Sequence, residues 1–207
     1  MSSNLGYESE KTLEDNLIKQ LCADGYEFVE INDIDDLHLN FRKQVNKHNA
    51  SRLNGHELSD KEFERLLVKI QGKGVYGSSK TLRSLQDITM DDGSTQYIEL
   101  FNTKNNEWCK NEFQVTHQVT MVGKYENRYD VTLLINGLPL VQIELKRRGI
   151  DFKEAFNQVI RYKKHSLNDL FRYVQIFIIS NGIDTKYFAN SDKEMDFPIH
   201  FLLDRQK

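Results

Sequence analysis

Apolar positions along this chain change their period about halfway. From Tyr7 to Ala23, Leu13, Leu17, Ile18 and Leu21 recur at three- and four-residue spacing, which predicts an amphipathic helix ending near Gly25. Two further helical patterns cover 36–47 and 59–70, the second opened by Ser59 with Glu62 three residues on, a capping-box spelling. The glycine-rich run GKGVYGSSK reads as a loop: it lacks the Gly-Lys-Ser/Thr ending of a phosphate loop, and no apolar strand precedes it. Residues 80–88 carry no decisive pattern. From Gln96 onward the period becomes two, and YIELF, FQVTHQVTMV, RYDVTLLI, LPLVQIEL and YVQIFIIS read as strands rich in β-branched and aromatic residues.

Asn136-Gly137 joins two of these strands with the dipeptide that suits a tight hairpin, in which both central residues take positive φ. Residues 151–165 then put Phe152, Ala155, Phe156, Val159 and Tyr162 on one helical face, and a nearly continuous apolar run follows. Hairpin, helix and buried strand predict a mixed α/β core, with the last strand parallel to the one before the helix. The 207 residues suit one domain, with a core over about 1–30 and 95–190 and a helical insertion over about 36–90.

Composition narrows the class. With 39% hydrophobic and 29% charged residues and two prolines, the chain is that of a folded globular protein. It lacks the ~18 uninterrupted apolar residues of a membrane span and a signal-peptide pattern, which points to the cytoplasm. Cys22 and Cys109 have no paired-ligand spacing and read as reduced thiols. The net charge of −3 argues against a broad coating of nucleic acid and leaves room for a local basic patch. The six histidines show no zinc-ligand spacing, although His117 or His165 would suit a place near a DNA path. Trp108 and Phe113 read as core or loop anchors.

The charges inside the hairpin are the chemical signal. Glu144 and Lys146 are two apart and share one face of their strand, whereas Asp130 lies on the other arm. With a plain two-residue loop, Asp130 falls opposite Ile143, on the face away from Glu144; a one-residue offset, from a bulge or a longer loop, brings the two carboxylates together. Pro139 weakens regular pairing near the turn and favours such an offset. Glu-Leu-Lys by itself describes many solvated strand edges. Two converging carboxylates beside a lysine instead suit a hard divalent cation, Mg²⁺ or Mn²⁺, with the Leu145 carbonyl as a further oxygen and Lys146 acting on a water or on developing negative charge. Those residue types fit phosphodiester hydrolysis.

Asp130 followed by Glu144-Leu145-Lys146, and then by Gln158 and Tyr162 four apart on the next helix, resembles the PD-(D/E)xK nucleases, in particular the RecB-like subgroup with a Gln-x-x-x-Tyr motif and the amino-terminal domain of type I restriction endonuclease R subunits. The resemblance is most specific over about 113–182 and extends to GYESEKTLEDNLIKQL. Tyr129 stands where the family usually has proline. The resemblance implies a restriction-endonuclease-like mixed sheet flanked by helices, catalytic Asp130, Glu144 and Lys146, and auxiliary Gln158 and Tyr162. It also implies an acidic metal-site group on the first helix; Glu14, in mid-helix, fits better than Glu8 or Glu10. Arg147, Arg148, Lys153, Arg161, Lys163 and Lys164 would meet double-stranded DNA. By the same resemblance the chain is a fragment of a subunit whose ATP-driven motor lies elsewhere, so that ATP is not bound here, and the motor domains of that subunit and the modification and specificity subunits are its partners. A non-catalytic DNA-docking module of the same fold, or a stand-alone nuclease such as a resolvase or modification-dependent enzyme, are the competing expectations.

Overall fold

The computed structural model describes residues 9–104, 110–122, 126–165 and 167–193. Trp108, Cys109, His200, Glu8 and the predicted start of the first helix at Tyr7 lie outside these residues. Helix α1 spans Glu10–Ala23, its first turn capped by the Ser9 hydroxyl, which accepts from the Thr12 N–H at 3.1 Å. After the two-residue strand β1 (Glu27–Phe28) come α2 (Ile34–His48) and α3 (Asp60–Ile70). The predicted capping box on α3 is complete: Ser59 accepts from the Glu62 N–H, and the Glu62 carboxylate accepts from the Ser59 N–H at 2.8 Å.

The expected loop at GKGVYGSSK is instead the start of a helix, α4 (Val75–Arg83). Three glycines hide that helix from a propensity reading, and long-range contacts supply what propensity lacks. Asp192 accepts from the Val75 N–H at 2.9 Å, an acidic partner for the helix start brought from the far end of the chain. A Cβ on Gly74 would stand 2.8 Å from that carboxylate, so a larger residue would have to push the Asp192 side chain aside. Strands β2 (Gln86–Thr89) and β3 (Thr95–Ile98) then pair antiparallel in a separate ribbon.

The main sheet is built from β1, β4 (Phe113–Val122), β5 (Glu126–Ile135), β6 (Leu138–Leu145), β7 (Ile176–Ser180) and β8 (Thr185–Ala189), in the order β1-β4-β5-β6-β7-β8. β5 pairs antiparallel with both β4 and β6, and β8 with β7; β1 is parallel to β4, and β6 and β7 are parallel as expected, joined through α5 (Phe152–His165) and a 3-10 turn at Asp169–Tyr173. The expected strand at 173–180 thus begins only at Ile176. The result is the mixed, helix-flanked sheet of the restriction-endonuclease-like arrangement. Among the described residues no helix is long and apolar enough to cross a membrane.

One face of the sheet is closed by α1, whose Leu13, Leu17, Ile18 and Leu21 pack on Val115, Val131, Ile143 and Leu145. The other face carries the larger core, in which Ala155, Phe156, Val159 and Tyr162 of α5 meet Leu37, Phe41, Leu66, Tyr129 and Phe177. Each large apolar side chain so buried stabilises the fold by roughly 1.5–3 kcal/mol. The hairpin turn has Asn136 at φ 48° and Gly137 at φ 80°, as a primed turn requires. It is locked in place because the Asn136 side chain donates to the Leu100 carbonyl and accepts from the Glu112 N–H, at 2.8 and 2.7 Å.

Candidate active site

The β5–β6 ladder contains the offset on which the site depends. Ile135 pairs with Leu138 and Leu134 with Pro139, but Leu133 pairs with Val141, which leaves Leu140 as an extra residue. The bulged Leu140 uses its carbonyl to accept from the Gln175 N–H at 2.8 Å. Beyond the bulge Val131 pairs with Ile143, and the same count carries Asp130 to the level of Glu144. The Asp130 carboxylate accepts from the Leu145 N–H at 2.8 Å. Lys146 donates to one oxygen of Glu144 at 2.7 Å. Glu144 is fully buried, and its second oxygen has no hydrogen-bond partner.

Burial, reinforced by the neighbouring Asp130, pushes the Glu144 carboxyl up to about 8. Asp130 is also raised, by burial first and then by Glu14 and Glu10, against the lowering effect of the Leu145 N–H and Lys146. Burial alone would lower the Lys146 ammonium, but Glu144 and Asp130 outweigh it and hold Lys146 above the ordinary lysine value. Lys146 is therefore a fixed cation here, which favours charge stabilisation over a role as a base. Two carboxylates forced together in a dry place, one oxygen of them without a partner, form a donor set suited to a divalent cation. Among the described residues no group of three or more His, Cys, Asp or Glu side chains is arranged to hold an ion. Two carboxylates would leave a hard ion open positions for water and phosphate.

Glu14 is the buried residue of α1, held from both sides by β4: His117 lies 2.8 Å from one oxygen, and the Gln118 amide donates to the other. Glu10, which the sequence ranks below Glu14, accepts from the Arg147 N–H at 3.1 Å and adds negative charge around Asp130, Glu144 and Lys146. Its place at the start of α1 is no guide to this, because the partner is a backbone N–H beyond the end of β6. His117, singled out for a possible DNA path, binds Glu14 and meets the Phe28 ring edge-on. Phe113 meets Tyr26 edge-on from the start of β4.

Gln158 and Tyr162 do share a face of α5. The Gln158 amide donates to the Tyr162 hydroxyl, which donates to the Arg128 carbonyl at 3.2 Å, two residues before Asp130. Burial, then the Glu144 charge, pushes the Tyr162 hydroxyl up to about 12, so it remains a donor. Tyr129, at the position of the usual proline, packs its ring against Tyr162 at 4.9 Å. Arg147, Arg148, Lys153, Arg161 and Lys164 are exposed, whereas Lys163 is half-buried and donates to the Lys193 carbonyl at 2.7 Å.

Residues 7–195 match the family described as the type I restriction enzyme R protein N terminus. The chain belongs to that family. It is 53% identical over 189 residues to the SsaAORF53P endonuclease subunit of a type I restriction enzyme from Staphylococcus saprophyticus, covering 91% of this chain and 20% of that protein. It is 52% identical to the SauMSSORF170P endonuclease subunit from Staphylococcus aureus, over 92% of this chain and 20% of the relative. A more distant relative, the EcoprrI endonuclease subunit of Escherichia coli, is 42% identical over 90% of this chain and 60% of its own length. The chain therefore spans about one fifth of the length of the staphylococcal endonuclease subunits that it matches.

Proposed function

We propose that this chain is the divalent-metal-dependent endonuclease domain of a type I restriction enzyme, hydrolysing DNA phosphodiester bonds at Asp130, Glu144 and Lys146. The observation that carries the reading is the Leu140 bulge, which levels Asp130 with Glu144 and leaves a buried carboxylate oxygen without a partner beside a lysine. Its relatives are named endonuclease subunits of type I restriction enzymes.

In this reading Asp130 and Glu144 would hold the cation, and the Leu145 carbonyl would offer a further oxygen. When bound, the ion supplies electrophilic help at phosphorus and a more acidic water. Lys146, kept charged by its neighbours, stabilises the negative charge that develops on the phosphoryl oxygens. Gln158 and Tyr162 brace the Arg128 carbonyl and so fix the backbone that presents Asp130. Exposed Arg147, Arg148, Lys153, Arg161 and Lys164 contact backbone phosphates of double-stranded DNA, which position the substrate without reading its sequence. Sequence choice, ATP-driven motion and modification then belong to the motor, specificity and modification parts of the assembled enzyme, acting in the cytoplasm.

The test is DNA cleavage by the assembled enzyme carrying Lys146→Ala. Cleavage should fall on the order of a hundredfold or more while DNA affinity persists. Unaltered cleavage would remove Lys146 from the chemistry, and absence of Mg²⁺-dependent cleavage in the wild-type assembly would favour a DNA-docking module.

A further inference from the structure

We infer that the α1 side of the sheet is completed, at its β7–β8 end, by an uncharged apolar segment from the rest of the R protein. This rests on membership of the R-protein family and not on the nuclease chemistry. Two cross-strand rows define the face. The register sets Val131, Ile143, Ile178 and Tyr187 side by side across β5, β6, β7 and β8. The next row, nearer the hairpin turn, is Leu133, Val141, Ile176 and Ala189.

Burial falls along both rows toward β8. Val131 and Ile143 are buried with α1 on them, Ile178 is half-buried, and Tyr187 is 41% exposed. Leu133 and Val141 are half-buried, Ile176 is 40% exposed, and Ala189 is exposed. The same two strands are closed on their other face, where Phe177 and Ile179 are fully buried and Phe156 of α5 meets Phe188. The cause is width. A helix with its side chains covers about 10–12 Å, whereas six strands about 4.8 Å apart span roughly 24 Å. Helix α1 alone therefore leaves the β8 side of this face open.

An open groove of about 530 Å³ runs between α1 and these rows. Leu13 seats against the β7–β8 turn beside it, where a Cβ on Gly182 would stand 2.5 Å from the leucine methyl. The polar residues lining the groove are Asn16, Gln20, Ser180 and Thr185, and none of its lining residues among those described is charged. In a chain with 29% charged residues, such a lining does not suit a phosphate backbone, which cations hold. It suits an apolar protein segment with a neutral rim. Size then decides between a free and a tethered partner. Independent complexes and dimers engage about 20–30 residues a side, far more than these rows offer. A partner on the same chain acts at high effective concentration and needs a smaller contact. Such a chain is at hand in the relatives, of which this one spans only 20% of the length.

The test is maleimide labelling, mapped by mass spectrometry, of Tyr187→Cys and Ile176→Cys in the full-length R protein and in the 207-residue chain. The two probes lie on different strands, so one remains if the other variant misfolds. Both cysteines should react at least about tenfold more slowly in the full-length protein, as sites reached only when an interface opens. Equal rates in the two proteins would overturn the inference. Slow labelling already in the 207-residue chain would also overturn it, by placing the cover within that chain. Protection that grows with protein concentration would assign the face to a second copy, and protection only after other subunits are added would assign it to them; either result overturns the inference. None of these outcomes bears on cleavage at Asp130, Glu144 and Lys146, so the nuclease reading stands or falls separately.

Discussion

Glu144 and Lys146, two residues apart at the end of one strand, form a 2.7 Å ion pair in which the carboxylate is fully buried and keeps one oxygen without a partner. Such an arrangement costs stability when both groups are charged and nothing else is bound, because a desolvated carboxylate is only partly offset by one ammonium. It is the kind of local conflict that marks functional sites.

That conflict sets the pH dependence of the metal-free protein. Glu144 titrates near 4.5 in the unfolded chain and is pushed up to about 8 in the fold, so the folded state binds the proton more tightly. Its contribution to stability is complete below about pH 4.5 and is lost as the pH rises through about 8. Denaturant unfolding from pH 4 to 9 should show this decline in the wild type and a flatter profile in Glu144→Gln. Equal slopes would mean that Glu144 does not sit in the environment described.

Tyr162→Phe separates packing from bracing. The ring contacts with Tyr129 remain, so stability should change by only about 1 kcal/mol, the scale of one hydrogen bond. Cleavage by the assembled enzyme should fall much further, because the Arg128 backbone next to Asp130 loses its anchor. A rate loss no larger than the stability loss explains would leave Tyr162 a core residue.

Ser59→Ala should destabilise the fold by about 1 kcal/mol, measured by denaturant unfolding, through loss of the α3 cap. Nuclease activity should be unchanged, since Ser59 hydrogen-bonds to Glu62 and Asp91 and to neither Asp130 nor Glu144.

Gly137→Ala tests the seat of the hairpin. Its Cβ would stand 2.7 Å from the Phe41 Cα of α2, at a φ of 80° that disfavours any side chain. A loss of about 1–3 kcal/mol is expected from combined strain and overpacking. An unchanged unfolding midpoint would mean that α2 does not clasp the turn so closely.

The legible parts of this molecule are those in which local chemistry and tertiary fold agree. Ser59 and Glu62 specify their cap, Asn136-Gly137 specifies its turn, and Pro139 foreshadows the bulge beside it. What escaped is held by distant contacts. α4 depends on Asp192, more than a hundred residues away, and β1 is only two residues long. β8 is an edge strand whose half-exposed TKYFA carries too weak an alternation to stand out. At the candidate site, Asp130, Glu144 and Lys146 follow a recognisable spacing, but the left-handed Gln118 has no signal in its own side chain. Glutamine does not favour such a turn, and only its pairing opposite Asp130 reveals it.

The central claim, that carboxylates from both arms of the hairpin share one cation, is tested most directly by anomalous diffraction from crystals soaked in Mn²⁺. One anomalous peak within coordination distance of both the Asp130 and Glu144 carboxylates is the expected result. Manganese bound elsewhere, with Glu144 still paired only to Lys146 under conditions in which the assembled enzyme cuts DNA, would contradict it.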